Sequence, residues 1–354
     1  MGNTRHQLLA WLVVVALLAF QPTTFARTVS DSAIVSDKVI SRIDDGDSVL
    51  PVFSPDGKQL AYVRTIVKRQ TELTEVYVRD LSSGADWLLL GAETSRKYAV
   101  YKAFVYNLEW ASNDRLVASV SDGDVGTTLV EFDVGARRII SERQDKDLEA
   151  VWYAEIEKRM RAVKKLPDWD PDIVQNAFEN SVELQDGSFL IQPQYAGVAP
   201  DVFHITQQGR LTRLTQLDKD ANNALCGGVQ LRDSLLFLLA ESRTGNSRQA
   251  NLLRYRDGRI EKLASVATLT EPELVPLRTR QARALFFVST GYPYQRSPGV
   301  LYEYASEQLR SWPPPNTLHR VSADSSGRKV SLVMWENDRR IIEVREIKAG
   351  NRDK

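Results

Sequence analysis

Cysteine is almost missing from this chain: Cys226 is the only one in 354 residues. An intrachain disulfide is therefore excluded, and stability has to come from packing. Cys226 precedes Gly227-Gly228 and reads as a small buried or half-buried residue, because no neighbouring His or Lys is there to lower its thiol pKa. Histidine is scarce as well, with only His6, His204 and His319. One cysteine and scattered histidines make no zinc ligand set, and no His-Glu-x-x-His helix occurs. Net charge is also lacking. The 46 basic and 46 acidic residues cancel, which argues against broad nucleic-acid binding and against a polybasic membrane surface. No glycine is followed by another four residues later, so the Gly-x-Ser-x-Gly nucleophile elbow cannot occur, and no Gly-rich phosphate loop is present. His204 in VFHIT and His319 in LHRVS read as strand histidines packed or hydrogen-bonded in place, not as members of a Ser-His-Asp triad. The sequence thus supplies no catalytic residue, no metal site and no cofactor site. The pairs Asp44-Asp45, Asp122 with Asp124, and Asp170 with Asp172 suggest glycoside chemistry or Ca²⁺, but all three fall in predicted turns, where Asp bonds its own backbone.

Long apolar runs are absent too. The longest, Leu8 to Phe20, has 13 residues, against the roughly 20 that a membrane span needs. Arg5 and His6 precede it and Thr24-Phe25-Ala26 follows as a small-residue cleavage site. Residues 1–26 read as a secretory signal peptide, with an uncut signal anchor as the competing reading. The expected location is extracytoplasmic, periplasmic or secreted, with no membrane insertion after cleavage.

What is there is a repeated turn. In FSPDGKQLAYV, Phe53 to Val63, Pro55 takes the second turn position with its backbone angle already set, Gly57 takes the fourth, and Asp56 lies between them. Apolar alternation on both sides has the period of a strand. The pattern recurs, faintly, at Asn113-Asp114, Asp186-Gly187, Arg232-Asp233, Gln281-Ala282 and Ser326-Gly327. Most spacings match the 40 to 50 residues of a four-stranded blade. Five units also carry a plain second hairpin; the sixth stops short of a fourth strand, and DKVISRI, Asp37 to Ile43, alternates in the right way to supply it. The predicted fold is all-β: a six-bladed β-propeller over 37–347, closed by an N-terminal strand, with a C-terminal tail at 348–354. Trp87, Trp110, Trp312 and Trp335 fall in its strands as inter-blade packing.

The one predicted helix lies near 146–165, inside an insertion at 142–177. Leu148, Val151, Trp152, Ile156, Met160 and Val163 recur at helical spacing, with Glu155-Arg159 and Glu157-Arg161 as i,i+4 pairs on the polar side. Pro167 ends it, and Asp168-Trp169-Asp170-Pro171-Asp172 reads as an irregular turn. The helix is either an appendage for a partner or a loop decoration whose apolar face is buried on its own ring.

The turn at 51–63 resembles the xFSPDGxxLAYx repeat of TolB-type and prolyl oligopeptidase-type β-propellers. The segment 166–215, with LPDWDPDIV, an Asp-Gly strand turn and Pro-Asp-Val-Phe in a third strand, is similar to the non-catalytic propeller of secreted prolyl oligopeptidase family enzymes. That resemblance implies a WD40-like propeller that in the family gates a separate α/β-hydrolase domain, which these 354 residues do not contain.

In such a ring, the loops between second and third strands emerge on one face with the blade-to-blade connections. That face is the predicted binding face. It carries Arg64, Lys68 and Arg69; Asp122 and Asp124; Gln194 and Tyr195; Arg243, Asn246 and Arg248; Tyr292, Tyr294 and Arg296; and Asp338 with Arg339. Tyr and Arg are enriched at interface hot spots, so Tyr292, Tyr294, Arg296, Arg243, Arg248, Tyr195 and Arg69 are the candidate partner-binding residues. The sequence-based expectation is a secreted, non-catalytic propeller binding a protein or peptide partner. The alternatives are the regulatory half of a split prolyl oligopeptidase-like serine peptidase, with a separately encoded hydrolase as partner, and a glycan-binding propeller.

Overall fold

The computed structural model describes residues 34–348, apart from 69–70, 93–103, 122–126, 145–153, 155, 164–165, 232, 243–247, 270–271, 276–282, 290–298, 306–307 and 315. The expected signal peptide lies outside the described residues. The first strand, β1 (Val35–Ile43), belongs to the last blade. Blade 1 is β2 (Asp47–Phe53), β3 (Gln59–Lys68), β4 (Thr71–Asp80) and β5 (Asp86–Leu90), and blade 2 is β6 (Phe104–Ser112), β7 (Arg115–Ser121), β8 (Thr127–Asp133) and β9 (Arg138–Gln144). Blade 3 is the short-stranded one, with β10 (Val182–Glu183), β11 (Phe189–Ile191), β12 (Phe203–Ile205) and β13 (Leu211–Arg213). Blade 4 is β14 (Asn223–Gln230), β15 (Leu235–Ser242), β16 (Arg248–Arg256) and β17 (Arg259–Thr268). Blade 5 is β18 (Glu273–Val275), β19 (Arg283–Ser289), β20 (Gly299–Ala305) and β21 (Gln308–Trp312). Blade 6 is β22 (Thr317–Ala323), β23 (Lys329–Glu336) and β24 (Arg339–Ile347), with β1 as its fourth, outermost strand. Six antiparallel four-stranded sheets in this order, the last completed from the N-terminal side, make a six-bladed β-propeller, as the turn spacing predicts.

Ring closure rests on the pairing of β1 with β24, from Val35 opposite Ile347 to Ile43 opposite Ile342. Ile34, Val35 and Ile43 are 0%, 0% and 1% exposed. The pairing covers an edge that would otherwise offer a row of open backbone groups.

The repeated turn has a second role that its sequence does not show. Gly57 N–H donates to Ser54 O at 2.8 Å and Gly57 holds φ +67, a conformation glycine adopts without steric cost. The Ser326-Gly327 turn closes alike, Gly327 N–H to Asp324 O at 2.9 Å. The two turns then latch together, Ser325 Oγ donating to Pro55 O and Lys329 Nζ to Gly57 O, each at 2.7 Å. On the other side, Asp56 N–H donates to Asn113 Oδ1 in the blade 2 turn at 3.0 Å. One face of the ring is thus stitched from blade 6 through blade 1 to blade 2.

Packing between blades is apolar. Separate clusters of buried side chains join blades 6 and 1 around Tyr62, 1 and 2 around Phe132, 3 and 4 around Phe237, 4 and 5 around Phe286, and 5 and 6 around Trp312. Trp110 crosses from blade 2 to donate to Val52 O at 3.0 Å. The sixth cluster is different: it joins blade 3 to the insertion. Helical backbone at 156–162 (α1) and the helix Pro171–Glu179 (α2) bury Ile156, Val174 and Phe178 against Ile191, Phe203 and Ile205. Of the two readings of the insertion, its described apolar residues follow the second and are buried on their own ring. Arg161 pairs with Glu157 as expected; Arg159 reaches Ser181 Oγ at 3.2 Å and lies over the Phe189 ring, while Glu155 lies outside the described residues.

One expectation needs correction. The segment read as an irregular turn at 168–172 runs into α2, which already begins at Pro171. Asp170 is its N-cap, its carboxylate accepting from Ile173 N–H at 2.9 Å, and Pro171 occupies the first turn, where its missing N–H costs nothing.

Candidate functional site

Strand order fixes the two faces of the ring. The turns after β2, β6, β10, β14 and β22 lie on the stitched face. The ends of β3 and β15 and the loops after β11 and β23 lie on the other. Of the candidate residues on that loop face, Tyr195 is described and 42% exposed. Arg248 opens β16, opposite Ser242. It shares the parity of Ala250 and Leu252, which pack toward blade 5, so it sits on the opposite side of blade 4 from blade 3 and Tyr195. Arg69, Arg243, Tyr292, Tyr294 and Arg296 lie outside the described residues, as do Asp122 and Asp124. Arg64 is committed to structure: it pairs with Asp45 and its guanidinium lies 4.2 Å over the Tyr77 ring. Asp44 pairs with Arg42 at 3.0 Å.

The loop face also presents residues absent from the sequence-based candidates. Val67, near the end of β3, is 70% exposed, and Tyr106, near the start of β6, is 48% exposed. With Tyr195 they place an exposed apolar or aromatic side chain on each of three consecutive blades, at the same end. The sequence pattern does not single out Tyr106; the position of its strand next to the axis and its nearness to the loop end put it in solvent.

Between blades 3 and 4 lies a cavity of about 600 Å³. Cross-strand register orders its blade 4 wall. Asn223 stands opposite Glu241, Leu239 opposite Asn251, and Asn251 opposite Ser265, while Phe237 opposite Leu253 and Leu235 opposite Tyr255 continue below. One face of the blade is therefore apolar toward the stitched end and polar toward the loop face. At the polar end Ser265 Oγ donates to Asn251 Oδ1 at 2.7 Å and Asn251 Nδ2 donates to Glu241 Oε2 at 3.0 Å, a relay that holds the carboxylate in place. Asn251 is 3% exposed and Asn223 7%. The blade 3 wall is pinned by Asp201, which accepts from Thr215 Oγ1 at 2.9 Å and Leu217 N–H at 2.8 Å and also pairs with Arg213. Nothing in the linear sequence joins Asn223, Glu241 and Asn251. Strand register and the space that blade 3 leaves over them bring them together.

A serine, a histidine and an aspartate do meet in blade 3, in the wrong order for catalysis. His204 Nε2 lies 3.0 Å from Ser188 Oγ, but Ser188 Oγ donates to Asp186 Oδ1 at 2.6 Å. The carboxylate therefore holds the hydroxyl and not the far side of the imidazole, where a triad needs it. Ser188 is 2% exposed, and burial holds the His204 pKa below its ordinary value. His319, on β22, is also held low, by burial and then by Arg340 and Arg320. Both are strand histidines, as read from the sequence. Among the described residues no cluster of three or more His, Cys, Asp or Glu is placed to hold a metal ion.

No family model and no curated protein matches this chain. Among solved structures it is similar to the β-propeller domain of the trilobed protease from Pyrococcus furiosus, at 13% identity over 86% of this chain and 82% of that one, with a TM-score of 0.34. It is similar to a prolyl endopeptidase at 13% identity over 87% of this chain and 42% of that one, TM-score 0.32. It is also similar to the acylaminoacyl peptidase of Pyrococcus horikoshii, at 15% identity over 86% and 46%, TM-score 0.33. The chain spans less than half the length of the two peptidases, and likeness at this level concerns the propeller fold alone.

Proposed function

We propose that this chain is a non-catalytic β-propeller that binds a protein or peptide partner on its loop-bearing face, outside the cytoplasm. The observation that carries the reading is the set of exposed side chains Val67, Tyr106 and Tyr195 on consecutive blades of one face. The opposite face is occupied by turn-to-turn hydrogen bonds. Aromatic side chains on a rigid scaffold supply contact area at small entropic cost, and that is how interface anchors work. The misordered Ser188–His204–Asp186 contact supports a binding role over a hydrolytic one.

The test is affinity capture with the immobilised full chain, against soluble and membrane fractions of its own cells, followed by mass spectrometry. A single protein enriched over blank matrix and released by free chain is expected, and the double variant Tyr106→Ala, Tyr195→Ala should lose at least ten-fold of that capture while keeping its thermal midpoint. A serine hydrolase as the captured protein would move the reading to the regulatory half of a split peptidase. Hydrolysis of a chromogenic proline peptide by the pure chain would overturn it.

A further inference from the structure

The cavity between blades 3 and 4 has a polar end with one amide oxygen lacking a hydrogen-bond partner and one carboxylate lacking a counter-ion among the described residues. Asn223, 7% exposed, lines the cavity, and its Oδ1 has no hydrogen-bond partner. A buried amide oxygen without a partner costs free energy unless something supplies a donor, and rotation of the amide exchanges its oxygen and nitrogen toward the cavity. Opposite Asn223 stands Glu241, which also lines the cavity. Its Oε2 accepts from Asn251, and among the described residues no Lys or Arg forms an ion pair with it. The charge therefore faces a space walled by Leu239, Leu253, Leu214 and Leu217. The cations that do line the cavity lie elsewhere. Lys262 stands opposite Leu253, further toward the stitched end, and Arg213 is bound to Asp201.

We infer that this cleft is a subsite for a basic side chain, a lysine ammonium or arginine guanidinium presented by a bound peptide, with its aliphatic stem on the leucines and its head between Glu241 and Asn223. The inference rests on the peptide-binding reading above and specifies it. Three features select this ligand class. The fixed carboxylate asks for a cation, the unpaired carboxamide asks for a hydrogen-bond donor, and the apolar wall below them asks for methylenes, which Lys and Arg carry beneath their charged heads. A carboxylate ligand is refused at the polar end by Glu241. The pre-set relay from Ser265 through Asn251 means that the carboxylate needs no reordering when the head arrives. The polar end lies at the loop face, so a peptide lying across the loop-face ends of blades 3 and 4 can lower one side chain into the cleft.

The experiment uses the full chain and fluorescein-labelled, N-acetylated hexapeptide pools in which one position is fixed as Lys, Arg, norleucine or Glu, read by fluorescence anisotropy. The Lys or Arg pool should bind at least ten-fold tighter than the norleucine and Glu pools. Glu241→Gln should erase that preference while leaving norleucine-pool binding unchanged, and Glu241→Lys should shift preference to the Glu pool; circular dichroism and thermal midpoint verify folding of both variants. Equal binding of all pools, unaffected by Glu241→Gln, would overturn the cation subsite and leave peptide binding standing. Failure of every pool to bind the folded chain would overturn both.

Discussion

Gly209 shows how much one residue can carry. It closes the turn between β12 and β13 at φ +75, and a Cβ placed on it would lie 1.6 Å from the Ala162 carbonyl oxygen at the end of α1. Strand turn and helix end approach so closely that neither can yield to a methyl group without moving backbone. Gly209→Ala should therefore lower stability by roughly 3 kcal/mol in chemical denaturation, the combined effect of left-handed strain and a lost helix contact. His204 makes a second residue-scale prediction. Burial holds its folded-state pKa below that of the unfolded chain, which titrates near about 6.5. Below that value the unfolded state binds more protons than the folded one, so stability falls as pH drops from about 6.5 toward the lowered value and is fully present above it. The thermal midpoint should fall between pH 7.5 and 5.5, and His204→Asn should reduce the slope. Glu273, whose pKa is raised by burial against an opposing pull from Arg320, acts with the opposite sign, its contribution making stability fall as pH rises from the ordinary carboxylate range toward the raised value.

Among the elements, β1 and α2 separate what pattern reading reaches from what it misses. The strand at 37–43 was legible because the sixth repeat lacked a strand and an alternating segment was left over; counting, not propensity, found it. A chain starting at Asp44 should lose the burial of Ile34, Val35 and Ile43, on the order of 6 kcal/mol, and expose the edge of β24. Size-exclusion chromatography should show association or aggregation where the full chain runs as a single species. The helix α2 was missed because Asp170-Pro171-Asp172 satisfies turn chemistry and helix-start chemistry alike. What decided was the apolar face of Ile173, Val174, Ala177 and Phe178, which blade 3 and α1 cover. Of the candidate binding residues, Tyr195 is exposed on the loop face. Arg64, which the sequence places on the same face, is spent on Asp45 and Tyr77.

Across the whole molecule, the two faces of the ring differ. One is knitted by Ser325, Lys329 and Asp56 to neighbouring turns. The other carries the exposed apolar side chains and the polar end of the cleft. The insertion alters this plan at one point, since blade 3 packs its second face on helices where the other junctions join blade to blade. Blade 3, the blade with the helices on its second face, is also the one with the shortest strands. The capture and peptide-pool experiments test this scale directly, by asking whether binding depends on the loop face and on Glu241.

The sequence by itself determined the number of blades, the positions of the inner turns and the strand that closes the ring, because strands alternate with period two and each hairpin needs turn residues at a fixed place. It also determined that neither a nucleophile elbow nor an intrachain disulfide occurs in these residues, since the first needs two glycines four positions apart and the second needs two cysteines. Tertiary structure alone decided which polar residues serve a neighbour and which remain open. Arg64 and Asp170 are satisfied by contacts that local pattern does not specify. Asn223 and Glu241, eighteen positions apart, become one site only because antiparallel pairing sets them side by side and blade 3 stops short of covering them. Pairing register is a property of two strands at once, and open space is a property of two blades.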